Sequence, residues 1–448
     1  MLQSVLMQKF VKSPLFYVIL SGLLIAIATI IAIFIARGYL PDLNTRSLIP
    51  TGILVATSDP DGARVYINNH LTTATNNTLN LSPNTYDIKI EKDGYSTWNK
   101  RVEIKKEEVY KTNVFLFPKF PDLRPLTLTG VINSEESPNE RKIVYSVASA
   151  SAEKNGLWIL DLEGGRPIFG GYDIRQIYKD SPELSLTNYK FFWNPDSQQI
   201  IAYKQSPPLE PAKPLSPSGA TTTTAELKLT TAVASASANP YKRFTKETTI
   251  ASAYLLDGSR LNTLPQSLTP EGLTNLLAGW ADLWDEKNSL NLTKLPIPIA
   301  SFFREKASEF FLSADESKIL YTASSSATVP QFQTVYLPGR NSTHEERTIS
   351  PGKLYVYDIK EDKNYYILDH NNSKDAKIDW FPSSRHLLLH TTSEISVMEY
   401  DGTNKSVLYT GPFSQTIFVP WPNWSKIAIV TSFNNQAGGE NLYTINLR

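Results

Sequence analysis

The side chains that most often carry chemistry are thinly spread along this 448-residue chain. It has no cysteine, which excludes disulfides, thiolate metal sites and cysteine nucleophiles. Of its five histidines only His386 and His390 are close in sequence. They flank three leucines in a segment that reads as a strand, so they share a face about 13 Å apart at roughly 3.3 Å per residue, too far to hold one metal. Both read as ordinary strand positions. Asp59 with Asp61, and Asp282 with Asp285 and Glu286, bring carboxylates together without the ligand count of a calcium loop, and read as turn and surface charge. No G-x-S-x-G elbow, H-E-x-x-H helix or Walker-type loop occurs, so serine-hydrolase, zincin and nucleotide-binding readings lack support. No catalytic, metal-binding or cofactor-binding residue is assigned, and the chain reads as a non-enzyme. Trp193, Trp380, Trp421 and Trp424 could stack on sugar faces. Their recurrence near the starts of repeated segments predicts packing between repeats instead.

Lys plus Arg equals Asp plus Glu at 44 each, so no net field draws the chain to nucleic acid, and no nucleic-acid partner is expected. The length fits two or three domains. Frequent Tyr, Phe and Trp with Asn- and Thr-rich turns favour strands. Asn76, Asn291, Asn341 and Asn423 open Asn-x-Ser/Thr triplets, which carry little weight in a chain of this composition.

Residues 15–36, LFYVILSGLLIAIATIIAIFIA, carry no charge. Roughly 20 such residues at about 1.5 Å each span a hydrocarbon core of roughly 30 Å. The run is longer than the 7–15 or so apolar residues usual in a cleaved signal peptide. Lys9 and Lys12 precede it and Arg37, Asp42 and Arg46 follow it, a slight bias that points the N-terminus inward. A cytoplasmic tail (1–14), a transmembrane helix in contact with lipid (15–36) and a linker (37–50) are expected, with everything beyond outside the cytoplasm.

From Thr51 to Pro118 short alternating runs lie between turn signals. GILVAT, the turn SDPDG and ARVYI read as a hairpin. In YDIKIEK, Tyr86, Ile88 and Ile90 share one face while Asp87, Lys89 and Glu91 share the other. Trp98, Val102 and Ile104, and then VYKTNVFLF, suggest further strands, giving a small antiparallel sandwich. These residues resemble the PEGA family of small β modules. The name-giving turn stands as Pro60-Asp61-Gly62-Ala63, with Asp61 where the name has Glu, and a Lys-x-Gly-Tyr element stands as Lys92-Asp93-Gly94-Tyr95. Asn84 replaces a Gly common in the family, and Asn tolerates the left-handed backbone that Gly would supply. The resemblance implies a non-catalytic binding or spacer module at an envelope surface, with Pro60, Asp61, Gly62, Ala63, Gly94 and Tyr95 as its motif.

Across residues 119–448 a loose motif returns five times: SPNERKIVYSV at Ser137, FFWNPDSQQIIAYK at Phe191, FFLSADESKILYTA at Phe310, IDWFPSSRHLLLHT at Ile378 and VPWPNWSKIAIVTS at Val419. Each is an apolar strand, a polar or Pro-bearing turn and a second strand, followed by a further strand such as LWILDLEGG or KLYVYDIKED. One such unit cannot bury its own faces, so neighbours must stack, and a radial β-propeller follows. The motif is similar to the repeats of TolB-type propellers. Five to seven blades fit, since residues 264–298 could hold a diverged blade. The spacing in EGLTNLLAGWADLWDEKNSL favours a helix inserted between blades. A Pro-, Ser-, Thr- and Ala-rich insertion near 205–242 reads as disordered, and a shorter one at 324–350 as a surface loop. The fold class is thus all-β, a small sandwich plus a propeller behind one transmembrane helix. The expected role is non-enzymatic binding of envelope protein or cell-wall polymer. The alternative is a glycan-active hydrolase or lyase using carboxylates gathered in the propeller channel. An inside segment of 14 residues disfavours a signalling sensor.

Overall fold

The structure is a computed structural model and describes residues 14–36, 39–42, 47–149, 151–163, 172–205, 239–247, 250–333, 337–369, 377–432 and 439–448. The expected tail, apart from Pro14, and residues 206–238 of the long insertion lie outside these. Two compact units are present, Met1–Phe117 with Thr334–His344, and Pro118–Gln333 with Glu345–Arg448.

Helix α1, Pro14–Ala36, is 23 residues long, and no part of its Tyr17–Phe34 window is buried in the protein. Its Ser21 and Thr29 hydroxyls donate to the carbonyls of Val18 and Ile25, so its few polar side chains are satisfied within the helix. By length and composition it can cross a membrane, and a signal sequence would share those properties. A short antiparallel pair, Tyr39–Asp42 with Ser47–Pro50, follows it.

The small β domain has two main sheets over one core. Gly52–Ala56 lies between Asn77–Leu81 and Val109–Lys111, while Arg64–Ile67 lies between His70–Ala74 and Asn84–Glu91, with Trp98–Ile104 outermost. Leu54, Ala56, Val65, Ile67, Ile88, Ile90, Trp98 and Val102 are buried together between them. GILVAT and ARVYI are therefore not hairpin partners, because the chain changes sheet at SDPDG. Each of these strands has one apolar face, and facing each other across the core buries both, which side-by-side pairing would not. Val109–Lys111 runs parallel to Gly52–Ala56, so the sandwich is not purely antiparallel.

The second unit contains five four-stranded antiparallel sheets among the described residues. Blade 1 is Ser134–Glu136, Lys142–Val147, Gly156–Asp161 and Asp173–Lys179, and blade 2 is Lys190–Trp193, Gln199–Gln205, Ile250–Asp257 and Gln266–Ser267. Blade 3 is Ala307–Leu312, Lys318–Ala323, Lys353–Asp358 and Lys363–Asp369, and blade 4 is Lys377–Trp380, His386–His390, Glu394–Glu399 and Ser406–Thr410. Blade 5 takes Ser414–Pro420, Lys426–Thr431 and Asn441–Asn446 from the end of the chain, and its outer strand, Leu123–Pro125, from the beginning of the unit. That shared sheet closes the ring.

Alternate residues of each blade's second strand pack against opposite neighbours, as a radial stack requires. Ile143, Tyr145 and Val147 meet Val419, Trp421 and Val430 of blade 5, while Val144 meets Phe191, Trp193 and Ile200 of blade 2. Leu320 of blade 3 packs with Leu387 and Leu389 of blade 4, and the His390 ring of blade 4 stacks 5.1 Å from Phe418 of blade 5. Between blades 2 and 3 stand helices. After the short helix α2, Pro240–Glu247, α3, Pro270–Thr293, buries Leu273, Leu277 and Trp280 against Ile201 and Tyr203 of blade 2. The next helix, α4, Ile297–Lys306, buries Ile299 and Phe303 against Ile319 and Tyr321 of blade 3. Residues 270–293 form a helix and no sixth blade. Thr269 caps it by accepting from the Gly272 N–H at 3.1 Å, and Pro270 opens it. Nor is the 324–350 insertion a bare surface loop: Ala327–Thr328 pairs with Thr348–Ile349, Val329 and Ile349 are buried, and the Arg347 guanidinium bonds Asp362 at 3.0 Å.

Candidate functional site

What positions the centre of the propeller is a turn built five times over. Ser137, Asn194, Ser313, Phe381 and Trp421 each donate their N–H to the carbonyl five residues on, and each accepts from the N–H three residues on, at 2.8–3.0 Å throughout. The second place is Pro138, Pro195, Pro382 or Pro422 in four copies and Ala314 in the other, which suits the fixed φ of a type I turn. The fourth place is left-handed in every copy: Glu140 (φ 55°), Ser197 (58°), Glu316 (55°), Ser384 (57°) and Trp424 (64°). Such a residue lets a type I turn match the twist of the strands it joins. Successive turns are also linked, since Ser197 Oγ accepts from the Asn139 N–H at 3.3 Å and Ser384 Oγ from the Asp315 N–H at 2.9 Å.

The residue just before the turn carries the inter-blade lock. Trp193 Nε1 donates to the Glu135 carbonyl of blade 1 (3.3 Å) and Trp380 Nε1 to the Phe311 carbonyl of blade 3 (3.0 Å). These two tryptophans are buried core, as the repeat pattern predicts, and are not a sugar platform. Trp421 is buried too, but it occupies the turn's first place, and Trp424, at the fourth, is exposed. The four therefore do not share one repeat position.

The innermost strands of blades 2, 3 and 5 present Phe191, Phe192, Phe310, Phe311, Phe418 and Val419. Those of blades 1 and 4 present charges. Lys377 Nζ bonds Glu136 Oε1 and lies 3.3 Å from Asp379 Oδ2, and each carboxylate side chain is 21% exposed. Burial opposes the charge of Lys377, yet Asp379 and Glu136 outweigh it and hold its pKa well above the ordinary lysine value. Burial pushes Glu136 upward against the pull of Lys377. Burial, with Glu136 beside it, takes Glu135 up to about 8, and burial with Asp379 and Glu136 takes Glu140 to about 8. His390, directly across the strand pair from Lys377, is held below its usual value by burial and then by the lysine's charge. Its Nε2 and Glu136 Oε2 have no hydrogen-bond partner.

At the turn side of this cluster lies a cavity of about 460 Å³, lined by Glu140, Asp379, Trp380, Phe311, Trp284 and Asn288 among others. Helix α3 forms one wall. Lys287 Nζ ties it to the turn of blade 2 through Asp196 (2.5 Å) and the Pro195 carbonyl (2.9 Å), and Lys294 ties it to Glu316 in the turn of blade 3 (2.7 Å). Among the described residues no grouping of three or more potential metal ligands is present. The sequence clusters play other parts: Asp285 pairs with Lys242 of α2 (2.6 Å), and His386 Nδ1 meets Ser383 Oγ (3.0 Å). The channel charges were not singled out from sequence. Glu135 and Glu136 could have been, because two adjacent acids stand where blades 2 and 3 carry Phe192-Trp193 and Phe311-Leu312.

In the small domain the two motif halves come together. Pro60-Asp61-Gly62 forms a bend with Gly62 at φ 68°, and Ala63 is fully buried, its N–H donating to Thr75 Oγ1 at 3.0 Å. Gly94 (φ 84°) completes a turn in which the Tyr95 N–H donates to the Lys92 carbonyl at 3.0 Å. Lys92 Nζ reaches the Asp61 carbonyl at 2.5 Å and Arg64 reaches Asp93 at 2.6 Å, so two segments 30 or so residues apart are tied side by side.

An apolar helix, a small two-sheet domain and a propeller with five blades among the described residues thus define an all-β protein with a helix fit for a membrane. Residues 51–119 match the PEGA domain family, and the chain carries a PEGA domain there. Among solved structures it is similar to a protein described as a TolB from Agrobacterium tumefaciens (12% identity, TM-score 0.19, covering 72% of this chain and 80% of that one). It is also similar to TolB from Acinetobacter baumannii (9%, 0.21, 81% and 59%) and to an oligogalacturonate lyase from Vibrio parahaemolyticus (10%, 0.22, 81% and 86%). Scores this low leave the propeller to be read from the chain's own strand order and turns. No curated protein sequence matches the chain.

Proposed function

We propose that this chain is a non-enzymatic, membrane-anchored extracytoplasmic protein that presents its PEGA domain and propeller to an envelope protein or cell-wall polymer. The observation that carries the reading is α1, whose described side chains from Tyr17 to Ile33 are all exposed. None of the described residues covers them, and lipid would. The division into tail (1–14), span (15–36), linker (37–50), PEGA domain (51–118) and propeller (119–448) belongs to this proposal. So does the inward N-terminus, argued from Lys9 and Lys12. Pro60, Asp61, Gly62, Ala63, Gly94 and Tyr95 act in it as turn builders that hold the domain's surface in shape. The full chain, purified in detergent and immobilised, is expected to retain protein or polymer from envelope fractions but nothing from cytosol. Equal retention from both would sink the proposal.

One observation favours a second reading. Glu136, Glu140 and Asp379 gather from two blades at the propeller's centre, burial raising the pKa of the two glutamates, and a carboxyl group of raised pKa beside a second carboxylate is the equipment of glycoside cleavage. Incubation with acidic and neutral glycans distinguishes the two: new reducing ends, or unsaturated ends, that vanish in Glu140→Gln would establish the enzyme.

A further inference from the structure

We propose that the lipid bilayer is itself a partner of the PEGA domain: the turn between Trp98–Ile104 and Val109–Lys111 sits in the headgroup layer, where the Lys106 ammonium pairs with phosphate. The inference rests on reading α1 as a membrane helix and names the end of the domain which that helix brings to the bilayer.

Helix, linker and domain belong to one compact unit, and several contacts bring that turn to the end of the helix. The ring of Tyr39, just past the helix end at Ala36, packs edge-on against Phe34 with centroids 5.2 Å apart. The antiparallel ladder then pairs Tyr39 with Pro50, so the two ends of the linker lie about 5 Å from each other and the linker gives the domain no reach. Pro50 leads straight into the strand Gly52–Ala56, whose start is tied to the turn. The Glu107 N–H donates to the Thr51 carbonyl at 3.0 Å and the Ile53 N–H to the Glu108 carbonyl at 2.8 Å. A Cβ at Gly52 would collide with the Lys105 carbonyl oxygen, so strand and turn meet backbone to backbone. The Tyr39 hydroxyl closes the loop of contacts by donating to Glu107 Oε1 at 2.8 Å.

The Tyr17–Phe34 window measures about 27 Å at 1.5 Å per residue, close to a hydrocarbon core of roughly 30 Å, so Phe34 marks the edge of that core. A tyrosine ring against Phe34 stands at the interface, where aromatic side chains gather, and the headgroup layer beyond is roughly 5–7 Å deep. Glu107, held by the hydroxyl of that ring, and its neighbour Lys106 fall within this layer. The other charges of the turn are engaged: Lys105 lies 3.7 Å from Glu103, Glu107 accepts from Tyr39, and Glu108 accepts from the Gly339 N–H at 3.4 Å. Lys106 is exposed and has no hydrogen bond or ion pair with any described residue. An ammonium free at this depth is attracted to lipid phosphate, and its long stem lets it reach. Ile104 pairs with Asn84 at this end of the sheet, whereas Trp98 pairs with Ile90 at the other, roughly 20 Å along the strand at about 3.3 Å per residue. The two motif turns, tied together by Lys92 and Asp61, therefore stand at the end away from lipid.

The test is fluorescence quenching in the full chain, reconstituted into vesicles of phosphatidylcholine and phosphatidylglycerol in which some of the phosphatidylcholine carries a nitroxide on its headgroup. The chain has no cysteine, so Val109→Cys and Thr97→Cys each give a single labelling site. Both positions are exposed, the first beside the turn and the second at the far end of the sheet. The label at Val109→Cys is expected to be quenched about threefold more strongly than that at Thr97→Cys. Adding Lys106→Glu should cut the quenching at Val109→Cys about twofold and leave Thr97→Cys unmoved, because phosphate repels a carboxylate. Equal quenching at the two positions, or quenching at Val109→Cys that Lys106→Glu does not change, would overturn the inference in a chain that still floats with the vesicles, and the anchoring would stand without it. A chain that fails to float with the vesicles would overturn both.

Discussion

The first strands of blades 2 and 3 and those of blades 1 and 4 occupy equivalent places and enter the same turn, yet differ in what they carry. Phe192-Trp193 and Phe311-Leu312 are apolar, whereas Glu135-Glu136 and Lys377-Ile378-Asp379 set charges at the propeller's centre. The turn hydrogen bonds are alike in all five copies, so the fold does not call for the charges. Residues that the architecture can do without, and that burial makes costly, are best understood through what the centre binds.

Five substitutions would break or sharpen that contrast. Trp193→Ala strikes the architectural side, emptying a 2%-exposed site and removing the bond to the Glu135 carbonyl. A loss of about 3–5 kcal/mol is expected in denaturant unfolding, at any pH near neutral. Lys377→Met strikes the charged side by leaving Glu136 and Asp379 without their cation. About 3 kcal/mol should be lost at pH 8 and less at pH 5, where the carboxylates can take protons instead. A loss independent of pH would mean that Lys377 matters only as packing.

Glu135→Gln should act in the opposite sense. Its carboxyl titrates near 8 in the folded protein against an ordinary value of 4.5, so between those limits the folded state holds a proton that the unfolded state has released. Stability therefore falls as pH rises through that window, and glutamine is spared the fall. The variant is expected to match the parent at pH 4 and to exceed it by roughly 3–5 kcal/mol at pH 8 in paired denaturation curves. Smallest is Trp424→Gly. The exposed left-handed residue there gives up its backbone penalty, for a gain of about 0.5 kcal/mol. Ser384→Gly forfeits the bond to the Asp315 N–H and should gain nothing. Thermal melts of the two side by side would separate backbone from linkage.

Sequence disclosed the parts whose physics is local. The charge-free run at 15–36, the alternation of Tyr86, Ile88 and Ile90, the five strand-turn-strand units and the helical spacing after Glu271 each sit within one short window. What it hid depends on distant partners. Leu123–Pro125 has no strand signal of its own and is a strand only because Tyr443, Thr444 and Ile445 lie beside it. SDPDG reads as a hairpin turn because a two-strand window cannot reveal that each strand has better partners in a different sheet. The 324–350 insertion looked like loop because the residue that fixes it, Asp362, comes after it. In the same way Glu136 and Lys377 looked like ordinary strand charges, and only ring closure brings them together.

Topology decides whether any of this chemistry meets an envelope ligand. The direct measurement is protease treatment of intact spheroplasts expressing the full chain, followed by detection of epitopes at each end. The account predicts that the C-terminal epitope is digested without permeabilisation, while the N-terminal one stays protected and membrane-bound. A C-terminal epitope that survives until the membrane is broken would contradict it.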